Sequence, residues 1–168
     1  NEAVEDYDLV EMLKDASAKV KTQKLLLVAH SQGNFYANSF YDIVAGKVGG
    51  VPAESIGVYA VATPASRVVG GGKWLTSDTD KIIASIVGRM PFKKIMPPNE
   101  SIVLAENDDP MGHNFSGVYL KYRGKEIVSA IQSSLEQLKE NNIQDAQKSC
   151  INPPKLTLAH KAAGLVFA

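Results

Sequence analysis

Five consecutive apolar residues, Leu25-Leu26-Leu27-Val28-Ala29, stop abruptly at His30-Ser31-Gln32-Gly33, and the chain from Asn34 onward reads as a helix. An apolar run without alternation marks a strand buried on both faces, as in a parallel sheet. A serine at a sharp strand-to-helix turn has its hydroxyl lifted out of the sheet plane. The same turn leaves the Gln32 N–H at a helix N-terminus, where developing negative charge is favoured. The plainer reading of these residues is an ordinary strand–turn–helix, since Ser is a preferred N-cap.

The rest of the chain repeats the alternation of helix and strand. Residues 4–22 read as an amphipathic helix, with Leu9, Leu13, Ala16 and Val20 spaced by four, three and four. After the turn, a helix is expected from about Asn34 to Ala45, closed by Gly46 and Gly49-Gly50. Asn34 and Asn38 share one side of it and read as solvent-facing. Ser55 to Ala62 is the next strand, and Pro64 must end it because proline cannot extend a central ladder. Val68 to Lys73, with Gly70-Gly71-Gly72, reads as a flexible link, short for a crossover between parallel strands.

Lys73 to Ser77 reads as a short strand and Ser101 to Ala105 as a buried one. Between them, residues 82–98 are rich in Ile, Val, Met and Phe without a clean period, broken by Pro91 and Pro97-Pro98. That stretch suits core packing or a wall over an apolar ligand. Lys125 to Asn141 reads as a long helix with Ile127, Ile131, Leu135 and Leu138 on one face. The fold class expected is therefore α/β, a mostly parallel sheet flanked by helices. Residues 1–145 form the expected domain, and 146–168 an extension to which the sequence assigns no role.

Composition narrows the function classes. The 168 residues carry 18 Lys+Arg against 18 Asp+Glu, so no electrostatic footprint for nucleic acid is present. No apolar run reaches the length of a membrane span. Cys150 is the sole cysteine, which excludes an internal disulfide. Three scattered histidines lack metal-ligand spacing, so no metal and no cofactor are expected. Compartment and oligomeric state are not legible.

Ala29-His30-Ser31-Gln32-Gly33 resembles the G-x-S-x-G nucleophile elbow of the α/β-hydrolase superfamily, in the His-Ser-Gln-Gly form of lipase- and esterase-like members, with Ala29 in place of the first glycine. Ala62-Thr63-Pro64 resembles the G-T-P segment that follows the next strand in such proteins. The resemblance spans about residues 5–140 and matches the later part of the superfamily's order. With room for one helix before the elbow strand, it implies either the C-terminal part of a longer protein or a pared-down fold. It also implies an acid in the loop after the Lys73–Ser77 strand. Asp80, in Asp80-Lys81-Ile82-Ile83, fits better than Asp78.

The superfamily's chain order of Ser, Asp and His points to His113 as the base, ahead of His30 and His160. The implied activity is hydrolysis of carboxylic esters by a Ser31–His113–Asp80 triad through an acyl-enzyme, with Gln32 N–H as oxyanion donor. The partner would be a small-molecule or lipid ester. The loop that usually supplies a second oxyanion donor is missing from this stretch, and one lost donor costs about a hundredfold or more in turnover. The competing expectation is a non-catalytic binding or scaffold domain on a hydrolase fold.

Overall fold

Apolar residues that alternate between two helical layers account for the central strand of this protein. The computed structural model describes residues 24–48, 50–89 and 94–140. Strands β1 (Leu25–His30), β2 (Ile56–Val61) and β3 (Trp74–Leu75) form a three-stranded sheet in the order β1-β2-β3. All the pairings are parallel, in register from Leu25↔Ile56 to His30↔Val61, then Ala60↔Trp74 and Val61↔Leu75. Helix α1 (Gly33–Val44) follows β1, α2 (Lys81–Arg89) follows β3, and α3 (Lys121–Gln137) follows a π-helical turn at Phe115–Leu120. This is the α/β arrangement expected, on a small sheet.

Side chains on β2 point alternately to the two faces. Ile56 and Val58 pack toward α1, in clusters with Phe40 and Val44 and with Ala37 and Val69. Tyr59 and Val61 pack the other way, against Ile83 and Ile86 of α2, Ile127 of α3, and Val118 and Tyr119 of the π turn. Each of those side chains, fully buried, contributes about 1.5–3 kcal/mol. The strand buried on both faces is thus β2, not β1. In β1 only Ala29 is buried and Val28 is 42 % exposed. The cause is position: β1 pairs with β2 along one edge and is the outer strand of the sheet among the described residues.

Two further expectations need correction. Ser101–Ala105 forms no strand; the ladder ends in an isolated parallel bridge between Ser77 and Glu100. Only Ile102 is buried there, Val103 is 85 % exposed, and backbone groups meet side chains instead of a neighbouring strand. Thr79 Oγ1 donates to the Ile102 carbonyl, Arg123 to that of Ser101, and Ala105 N–H donates to Asp108. The Val68–Lys73 link is pinned, not loose. Asn38 Nδ2 donates to the Arg67 carbonyl and Val69 N–H donates to Asn38 Oδ1.

A Cβ at Gly72 would lie 2.0 Å from the Val58 carbonyl oxygen, so only glycine lets this link run hard against β2 and reach β3 in so few residues. The apolar stretch after Asp80 begins as α2, whose Ile83 and Ile86 enter the core. Helix α3 begins four residues earlier than expected, at Lys121 instead of Lys125, and ends at Gln137. The expected helix at 4–22, residues 90–93, Cys150, His160 and the whole 146–168 extension lie outside the described residues.

Candidate active site

Ser31 occupies the turn between β1 and α1 with φ of 53°, the left-handed region that a residue bearing a Cβ enters at a cost of about 1–2 kcal/mol. Three contacts hold it there. Ser31 N–H donates to the Val61 carbonyl at 3.1 Å, tying the turn to the end of β2. Asn34 Nδ2 donates to the carbonyls of Ser31 at 2.9 Å and Val61 at 3.1 Å. Asn34 is 1 % exposed, so the solvent-facing reading of Asn34 and Asn38 is wrong: both amides fasten loops to α1. A Cβ on Gly33 would sit 3.9 Å from that of Ala29, so two small residues face each other across the turn.

Asp80 caps α2. Its Oδ1 accepts from the Ile83 N–H at 3.0 Å, an N-cap bond that also places the carboxylate at the favourable end of the helix dipole. Its other oxygen, Oδ2, meets His113 Nδ1 at 2.8 Å. The second imidazole nitrogen, Nε2, meets Ser31 Oγ at 2.8 Å. The residues expected from sequence to act together therefore lie in one hydrogen-bonded line, although 82 positions separate Ser31 from His113. Asp78 is exposed and donates its N–H to the Glu100 carbonyl, away from this line.

No family model, curated protein or solved structure matches the chain.

The surrounding groups fix which atom carries which proton. Ser77 N–H donates to Tyr119 Oη at 3.1 Å, and Tyr119 in turn donates to Asp80 Oδ2 at 2.8 Å. With Asp80 accepting from Tyr119 and Ile83, the proton between Asp80 and His113 sits on Nδ1, and Nε2 is left to accept from Ser31. Burial first, and the Asp80 charge beside it, push the Tyr119 phenol well above its ordinary range, so it stays a donor.

His113 is held from behind by Asp109. The burial of that carboxylate alone would raise its pKa, but N–H donation from Met111, His113 and Asn114 outweighs this and lowers it. His30 Nε2 donates to the His113 carbonyl at 2.9 Å, and its ring lies 4.8 Å from that of His113 and 5.3 Å from Phe115. Burial, then the neighbouring His113, depress the His30 pKa, which keeps that ring neutral.

Gln32 is the N-cap of α1, so its N–H belongs to the first turn, where helix N–H groups have no intrahelical acceptor. Tyr119 and Asp109 were not singled out by the sequence reading, and Asn34 was read as solvent-facing. Asp109 had a visible signal in the turn chemistry of Asp108-Asp109-Pro110-Met111-Gly112. Asn34 had a weak one, because Asn is a poor residue for a helix interior. Tyr119 had none. Among the described residues no group of three or more His, Cys, Asp or Glu is placed to hold a metal ion, and no helix is long and apolar enough to cross a membrane.

Proposed function

We propose that this protein is a serine hydrolase of the α/β-hydrolase type, cleaving carboxylic esters through an acyl-enzyme on Ser31. What supports the reading is the unbroken hydrogen-bonded line from Ser31 Oγ through His113 to a fully buried Asp80 carboxylate. His113 Nε2 takes the hydroxyl proton as Ser31 attacks the ester carbonyl. Asp80 stabilises the imidazolium so formed and keeps its orientation. His113 then delivers the proton to the departing alkoxide, and a water activated the same way releases the acid. The Gln32 N–H, at the positive end of α1, serves the oxyanion.

The strain at Ser31 fits this role: a backbone held in a sparsely populated region persists where the surroundings over-determine it, as the Asn34 amide does here. The test is reaction with a fluorophosphonate probe and hydrolysis of a p-nitrophenyl ester series by wild type and Ser31→Ala. Labelling mapped to Ser31 and loss of hydrolysis in the variant are expected. Equal hydrolysis by both proteins would end the assignment.

A further inference from the structure

An open groove of about 520 Å³ adjoins His113. Its walls include His30 and His113, but neither Ser31 nor Asp80. That asymmetry has chemical meaning if Ser31 is the nucleophile, the reading on which this inference rests. The acyl group stays bonded to Ser31 Oγ, whereas the leaving oxygen departs toward the nitrogen that protonates it, His113 Nε2. A groove that touches the line of residues only at His113 lies on the leaving-group side.

The rest of the lining states what kind of alcohol fits. Ile82 from the first turn of α2, Met111 and Phe115 supply apolar surface, and Asn114 and Ser116 supply polar groups at the rim. No Lys or Arg is among the lining residues described. The carboxylate in the wall is that of Asp109, engaged by the backbone N–H groups of Met111, His113 and Asn114. His30 is neutral through burial. A leaving group bearing carboxylate or phosphate would face this negative charge with no Lys or Arg in the lining to offset it, and like-charge juxtaposition opposes binding.

We infer that the groove between Ile82, Met111 and Phe115 is the leaving-group subsite and takes an uncharged alcohol with an apolar portion. The cleavage is ordinary ester hydrolysis: the acyl C–O bond breaks, a Ser31 Oγ–acyl bond forms, and the serine proton leaves with the alcohol.

The test holds the acyl group constant as butyrate and varies the alcohol, comparing 3-ethylphenyl with 3-carboxyphenyl esters. A kcat/KM preference for the uncharged ester of about tenfold or more is expected. Met111 is 42 % exposed, so Met111→Lys is compatible with folding and places a cation in the groove. That variant should narrow the preference by about fivefold or more, while the relative rates along a series of acyl chain lengths stay as in wild type. Rates for the two alcohols within twofold of each other in wild type would overturn the inference, as would a Met111→Lys effect on acyl-chain preference instead of alcohol preference. A protein that neither reacts with a fluorophosphonate at Ser31 nor cleaves any ester would instead remove the proposed function itself.

Discussion

Tyr119 donates to Asp80 Oδ2 at 2.8 Å, the same oxygen that His113 Nδ1 faces at 2.8 Å. The phenol is fully buried and takes the Ser77 N–H in return, so it is committed at both ends. Tyr119→Phe keeps the ring in the core but strips one donor from the carboxylate and orphans a buried N–H. Stability should fall by about 1–3 kcal/mol in denaturant titration. The carboxylate also loses one of the contacts that aim it, and kcat/KM for a p-nitrophenyl ester should drop about tenfold, equivalent to about 1.4 kcal/mol. Unchanged kinetics would show that Tyr119 serves packing alone.

Asp80 has two duties that one substitution separates. Asparagine is as good an N-cap as aspartate, so Asp80→Asn keeps the Ile83 N–H bond and loses only the Oδ2 acceptor, at about 1–3 kcal/mol of stability. It cannot stabilise an imidazolium or enforce the Nδ1–H tautomer, and turnover should fall about 10⁴-fold. Asp80→Ala, which loses the cap as well, should cost a further 0.5–2 kcal/mol or so of stability. A large loss of folding in the asparagine variant would contradict this division.

Strain at Ser31 can be read directly by comparing two variants that both lack the hydroxyl. Ser31→Ala and Ser31→Gly both remove the hydroxyl, but only glycine adopts φ of 53° without penalty. The glycine variant should be the more stable by about 1 kcal/mol in chemical unfolding. Equal stabilities would mean the turn is relaxed.

Much of this arrangement was readable in the chain. The resemblance carried by Ala29–Gly33 implied Ser31, Asp80 and His113 together, and the structure places those three side chains in one hydrogen-bonded line. What failed was tertiary. Nothing local told β1 apart from β2 as the doubly buried strand, because both are short and apolar and only pairing decides which lies inside. Ile102-Val103-Leu104 has strand composition, yet along Ser101–Ala105 the backbone meets the side chains of Thr79 and Arg123 from remote positions and of the nearby Asp108. Tyr119 was invisible for the same reason. A tyrosine in the turn before α3 acquires a role only when folding brings it to a carboxylate 39 residues away.

Acid should weaken the fold in two steps. The fold favours neutral His30, so above its ordinary 6.5 nothing is lost. As pH falls below that value the unfolded chain takes up the proton first, and stability declines until the lower folded value is passed. His30→Gln should flatten this region of a thermal-midpoint profile. Lower down, hydrogen bonds from Lys121, then Tyr122 and the Ala105 N–H, hold Asp108 at about 2 instead of 3.8. Its contribution is present above 3.8 and fades as pH drops toward 2. Asp108→Asn should shrink that second step, leaving the part that Asp109 carries. Profiles identical to wild type in both variants would assign the acid sensitivity elsewhere.

Ser31 and His113 stand 82 residues apart, and Asp80 and His113 stand 33 apart, so no local segment can rehearse the chemistry. Closing loops of that length carries an entropic cost that early, local structure does not repay. The line of Ser31, His113 and Asp80 therefore assembles only when the last remote stretch docks. In a refolding experiment the first appearance of probe-reactive serine would be a clock for completion, lagging any signal from helix formation and marking the moment the whole chain has found its place.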